Sequence, residues 1–217
     1  MTRSPRSSSA LAVLLGAAVG YLAGSVSFSR LVGERLAPGE DLSTTTFEIP
    51  ETGATLEFRG ITPTSVKQHA GTTGMLLATL LEAAKAAVPA AATRAAFPDT
   101  PAAPASAATA AVVGHAFPAT RGFRGGYGVS TMLGGLLVLD PVGLVVTTAA
   151  VSAAIGVTRD QRLMMAWPLA VPVWGLVRGR RDVLAFGVVT NVVYLVRWVP
   201  ELRGGMRPLF EARRRNL

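Results

Sequence analysis

The sequence predicts an all-α integral membrane protein of about seven transmembrane helices. Half of its 217 residues are hydrophobic, and only 16% are charged, against about 25% in a soluble domain. The mean hydropathy is +0.41. The apolar residues also come in long blocks. LAVLLGAAVGYLAGSVSFSRLV, from Leu11, holds one charge, near its end, and a bilayer core needs roughly 20 apolar residues as a helix. A soluble chain of this length has too little interior to bury so many such helices.

In chain order the predicted spans are 10–33, 70–92, 104–120, 127–140, 141–158, 163–178 and 183–200. Proline lacks the amide donor that a helix interior needs. The pair Asp140-Pro141 therefore either separates two spans or kinks one long helix over 127–158. Alanine is abundant and leucine modest, which suits helices packed closely together through small residues. Arg3 and Arg6 before an apolar run fit a cleaved signal peptide. A retained first span fits better, since the run exceeds a signal core and further spans follow. The connection 34–69 is long for a compact domain, and such loops are often functional or disordered. Its centre, TTTFEIPETGATLEFRG, alternates Phe47, Ile49, Thr55, Leu56 and Phe58 with polar residues around Thr52-Gly53, a pattern compatible with a small β-hairpin. FPDTPAAPAS, 97–106, reads as an external loop without chemistry.

Charge orients the chain as a single membrane domain, 1–217. With the N-terminus outside, twelve of the 21 basic residues fall inside, six outside and three within spans, as the positive-inside rule favours. The cytoplasmic parts are then the loop 34–69, the glycine-rich loop before 127, VTRDQR, and a basic tail over 201–217. The N-terminal arginines and RGRRD run against this orientation. A net charge of +8 suggests anionic lipid headgroups as a partner rather than nucleic acid, because the arginines lie in loops and tails. Cysteine is absent, which excludes disulfides and thiolate–metal sites. The two histidines lie far apart in sequence, which argues against a histidine-rich metal site.

One stretch stands out: GHAFPATRGFRGGYGVST, 114–131. Glycines let the backbone approach a ligand closely. The amides of Gly125, Gly126 and Gly128 can form a concave anion site, and Arg124 adds donors matched to phosphate. His115 is a candidate base or hydrogen-bond donor. The plain alternative is a tight turn with headgroup-anchoring arginines. The stretch fits neither a Walker A loop nor a dinucleotide-binding fingerprint.

The same stretch resembles the signature of the bacterial membrane acyltransferases that move an acyl chain from acyl phosphate to glycerol 3-phosphate. That signature runs approximately G-H-x-F-P-x-x-x-x-F-[RK]-G-G-K-G-V-[AS]-T and matches without a gap. GYLAGSVSFSRLVG, 20–33, is similar to the family's first motif, with its serine at Ser25. AGTTGMLLATLLEAAKAAV is similar to the second span, with an acidic residue at Glu82 and a lysine at Lys85. The resemblance covers nearly the whole chain. It implies catalytic roles for His115, Arg124 and Ser25, and substrate binding by Gly125, Gly126, Gly128, Lys85 and Arg159. It further implies acyl phosphate and glycerol 3-phosphate, or a related acceptor, as substrates at the cytoplasmic face of a bacterial plasma membrane. Neither a metal nor an organic cofactor is required.

The departures fall on polar positions. The lysine of G-G-K-G is Tyr127, and the proline of the first motif is Ser27. The segment G-S-G-N-x-G-A-T-N is replaced by an insert, 43–62, and TPTSVKQ, in which Ser65 stands for the last asparagine. Family serines correspond to Arg162 and Met165, and a late asparagine to Glu201. A non-catalytic paralogue that binds lipid or a protein partner is therefore the alternative, and a transporter ranks lower because no internal repeat is evident. Glu82 and Lys85, three apart on a helical face, read as a structural ion pair.

Overall fold

The computed structural model describes the backbone of residues 5–49, 54–159 and 161–215, and side chains over 9–46, 59–159 and 163–199. Ten elements are named: α1 (Pro5–Gly24), α2 (Phe28–Leu36), β1 (Thr44–Ile49), β2 (Ala54–Arg59), α3 (Pro63–Ala96), α4 (Ala102–Ala116), α5 (Val129–Leu139), α6 (Pro141–Thr158), α7 (Trp167–Val177) and α8 (Arg181–Arg215).

Among the described residues, four helical stretches are long and apolar enough to cross a membrane: Ser9–Leu36, Pro63–Ala96, Pro141–Thr158 and Arg181–Val199. The other expected spans are shorter, with 15 residues in α4 and 11 each in α5 and α7. At 1.5 Å per residue an 11-residue helix covers only about 16 Å. The expected first span is broken at Ser25–Ser27 into α1 and α2. At Asp140-Pro141 the chain makes two helices rather than one kinked helix. Asp140 caps α6, its Oδ1 accepting from Gly143 N at 2.9 Å. The other carboxylate oxygen takes a hydrogen bond from Trp174 Nε1 at 3.1 Å, which ties α6 to α7.

The long segment 34–69 is structured. β1 and β2 pair antiparallel from Thr44↔Arg59 to Ile49↔Ala54; the expected turn residues Thr52 and Gly53 lie outside the described residues. Leu42 is buried against Gly33 of α2. Gln68 Nε2 donates to Thr46 O at 2.8 Å, fixing the hairpin to α3. Pro63 suits the first helical position, and Thr62 with Ser65 forms a capping box that opens α3. α3 breaks once, at Gly71, whose φ of 71° and ψ of −173° are non-helical.

Close approach organises the bundle. Gly16, Gly20 and Gly24 on α1 lie directly against the carbonyls of Ala103, Ala107 and Ala111 on α4, with no room for a Cβ. Repeated small residues permit such contact in membranes, where packing rather than water exclusion drives association. α4 is central: Ala108, Val112 and Ala116 join Met132 and Leu136 of α5, Trp167 and Val171 of α7, and Phe186 of α8 in one core. The outer face carries exposed Leu14, Leu22, Leu80, Val88, Val145 and Leu176, the surface expected of helices solvated by lipid tails.

Candidate active site

Three helix breaks meet at one end of the bundle: the α1–α2 break, the C-terminus of α4, and the glycine loop before α5. At the first, Ser27 stands at the N-cap of α2 but makes no side-chain cap. The first amides of a helix need acceptors, and here a neighbouring helix supplies one. Glu82 Oε1, from α3, accepts from Ser29 N at 2.8 Å and Ser29 Oγ at 2.9 Å. A carboxylate is favoured there by the helix dipole as well.

Lys85, one turn on from Glu82, completes the junction. Its Nζ donates to Val26 O at 2.8 Å, inside the α1–α2 break. It lies 2.5 Å from Glu82 Oε2 and 2.6 Å from His115 Nδ1, at the end of α4. Glu82 Oε2 is also 3.1 Å from His115 Nδ1, yet it makes no well-aligned hydrogen bond among the described residues, so charge holds that oxygen. Glu82, Lys85, His115 and Ser29 are all buried. An ammonium has donors only, so the Lys85–His115 bond uses the Nδ1 lone pair and leaves the imidazole proton on Nε2. Nε2 in turn faces Gly126, where a Cβ would strike it.

The glycine loop folds back over the end of α4. Gly125 N donates to Ala116 O at 3.1 Å and Gly126 N to His115 O at 3.2 Å. The expectation that these two amides are free anion donors is therefore corrected: they satisfy the last carbonyls of α4, which the helix itself cannot pair. Gly128 is the N-cap of α5 with φ of 84°, a conformation costly for any residue with a Cβ. Two outside contacts pin the loop. Tyr21 Oη donates to Phe117 O at 2.9 Å and accepts from Ala119 N at 3.1 Å. Arg197, from α8, donates to Gly125 O and lies 5.9 Å over the Phe117 ring.

The predicted residues separate into two groups. His115 and Lys85 meet, and Glu82 is more than the structural partner of Lys85, since it touches Ser29 and His115 too. Ser25 turns its hydroxyl to Tyr21 O of its own helix, at 2.8 Å. Arg124 is exposed. Arg159 is the exposed, left-handed C-cap of α6, and among the described residues no hydrogen bond joins it to the cluster. Ser29, Tyr21, Arg121 and Arg197 are site-lining residues that the sequence did not single out. Arg121 carried one legible signal: it is the first of the loop's two arginines. Its guanidinium bonds Ser25 O at 3.3 Å. Burial holds Arg121 below the ordinary guanidinium range, with the Glu82 carboxylate opposing and Arg30 adding to that shift. No group of three or more His, Cys, Asp or Glu residues able to hold a metal occurs among the described residues. His69 stands apart, beside Glu40 at 3.3 Å.

The family model described as Glycerol-3-phosphate acyltransferase matches residues 14–204. The chain belongs to this family. It is 38% identical over 152 residues to a glycerol-3-phosphate acyltransferase of Anaeromyxobacter sp. (strain K), covering 67% of this chain and 70% of that one. It is 31% identical over 195 residues to that of Cereibacter sphaeroides (strain ATCC 17025 / ATH 2.4.3), covering 89% and 86%. Its fold is similar to the crystal structure of PlsY (YgiH), an integral membrane glycerol 3-phosphate acyltransferase, in its glycerol 3-phosphate form. That match has a TM-score of 0.72 at 22% identity and covers 93% of each chain. Tyr127 is where the chain departs from the signature that its glycine loop resembles. The hydroxyl that replaces the signature's lysine bonds Arg59 O at 3.4 Å, linking the glycine loop to the hairpin insert.

Proposed function

We propose that the protein transfers an acyl chain from acyl phosphate to glycerol 3-phosphate, or to a related phosphorylated acceptor, at the cytoplasmic face of a bacterial plasma membrane. The observation that carries this reading is the buried Glu82–Lys85–His115 cluster, seated under Gly125 and Gly126 of the family signature. Membership of the family, and PlsY forms named for glycerol 3-phosphate and lysphosphatidic acid, support the choice of substrates. Seven spans with the N-terminus outside, as the sequence reading has them, put the site on the inside. In this reading the short helices α4, α5 and α7 complete the seven, their ends shielded by protein neighbours. The twelve inside cations agree with that orientation.

The chemistry needs no covalent enzyme intermediate. The acceptor hydroxyl attacks the acyl carbonyl, the carbonyl–phosphate bond breaks, and the departing phosphate takes the hydroxyl proton. Lys85 holds His115 with its Nε2 proton available, so the imidazole is a donor to charge developing on the carbonyl or on the phosphate. The exposed Arg124 and Arg159, with the Gly128 amide, are the groups proposed to attract and orient anions. Ser25 shapes the α1–α2 break on which Lys85 rests.

The test is phosphate release by the purified protein in lipid, given palmitoyl phosphate and glycerol 3-phosphate. We expect acceptor-dependent release, lowered about 100-fold or more in His115→Ala, as general acid–base or donor roles of this kind are worth. No release, beside a working relative, refutes the reading. It would favour the second one, a non-catalytic paralogue, for which the Tyr127–Arg59 tie between loop and insert speaks.

A further inference from the structure

We infer that Arg121, rather than a residue of the family signature, is the cation that binds a substrate phosphate in this protein. The inference deepens the acyl-transfer reading and rests on it. Arg121 occupies one of the unspecified positions of the signature, in the stretch between its proline and phenylalanine. The residue that the signature does reserve for a cation is Tyr127, a neutral phenol turned to Arg59 O. Position 127 therefore supplies no positive charge to a phosphate.

The geometry indicates where the charge is restored. The α1–α2 break presents two successive carbonyls. Val26 O holds Lys85 and Ser25 O holds Arg121 at 3.3 Å, so the two cations are anchored on adjacent peptide groups. Lys85 is neutralised by Glu82 at 2.5 Å. Arg121 has no carboxylate partner among the described residues. A guanidinium has five N–H donors in a fixed fork, and the bond to Ser25 O is the only one the Arg121 guanidinium makes among the described residues. It is half-buried, so ordering its donors around an anion costs less than for a fully exposed side chain. The remaining cations nearby differ in each respect. Arg30 is spent on Glu34 at 2.6 Å, Arg197 is directed to Gly125 O under the loop, and Arg124 is exposed.

The shared chemistry is a phosphate monoester, from either the acceptor or the acyl donor, and kinetics separates the two. Arg121→Ala should raise KM about tenfold or more for one substrate, the value of a hydrogen bond to a charged group, while KM for the other changes less than about twofold. Arg121→Lys should recover part of that loss, since charge returns without the fork. Arg94→Ala, on an exposed turn at the far end of α3, should leave both values unchanged. Calorimetry with glycerol 3-phosphate and with inorganic phosphate on protein in lipid nanodiscs gives a readout free of turnover. Turnover with both KM values unmoved in Arg121→Ala overturns the inference and leaves the acyltransferase reading intact. Phosphate binding that is lost in Arg121→Ala, without any turnover, upholds the inference and overturns the reaction. A protein that neither binds nor turns over refutes both.

Discussion

A carboxylate and an ammonium inside a membrane bundle each need compensation, since either alone costs about 2.5–3.5 kcal/mol at a helix centre. Glu82 and Lys85 compensate one another, and each also serves a helix end: Glu82 caps α2 through Ser29 and Lys85 holds Val26 O. Removing one partner should therefore hurt more than removing both. Lys85→Met is expected to destabilise the protein by about 3–5 kcal/mol, and Glu82→Gln in the same chain should restore part of it. Thermal unfolding in detergent checks this; equal losses in the single and double variants would show that the pair is not coupled. The i, i+3 spacing made the pair legible in the sequence. Ser29 was not, because it lies 53 residues from Glu82 and no local pattern relates them. The choice between Arg121 and Arg124 was equally hidden. It is made by two consecutive left-handed residues, Gly122 at φ 58° and Phe123 at φ 61°, which reverse the chain between the two arginines.

Helices pair here by backbone contact, so glycine positions are sharply unequal. Gly20 faces the Ala107 carbonyl without room for a Cβ, whereas Gly156 in α6 has open space around it. Gly20→Leu should cost about 3 kcal/mol, the upper end for overpacking, through separation of α1 from α4. Gly156→Ala should be neutral or stabilising by about 0.5–1 kcal/mol, because alanine loses less entropy in a helix. Melting temperatures of the two variants in one detergent test the contrast, and similar losses would contradict this packing. At the element scale, the break at Asp140-Pro141 and the hairpin pattern were readable from proline chemistry and alternation. The division of the first apolar run into α1 and α2 was not. No proline or turn pair marks it; Glu82, Lys85 and Arg121 pay for it from outside.

Across the whole molecule, α8 reaches back to the glycine loop through Arg197. Arg197→Met should loosen residues 117–126 without unfolding the bundle. Amide exchange in that loop is expected to quicken about tenfold, equivalent to 1.4 kcal/mol of local stability; unchanged exchange would show that Tyr21 alone pins the loop. Orientation is testable because the chain contains no cysteine. Single reporters Thr120→Cys and Asp99→Cys, both exposed, should react with a membrane-impermeant maleimide from opposite sides. Thr120→Cys should label only in inside-out vesicles. The reverse pattern would invert the topology.

By itself the sequence determined that the chain is a membrane protein, roughly where its helices run, and which stretch carries the signature chemistry. The first two follow from local composition and periodicity, and the third from the resemblance that the stretch carries. Only the tertiary structure decided which groups that stretch meets: Glu82 on Ser29, Lys85 on His115, Arg121 on Ser25 and Arg197 on Gly125. Each of these contacts joins residues from separate elements. They depend on how closely the helices approach, which is a property of their packing and not of any one segment.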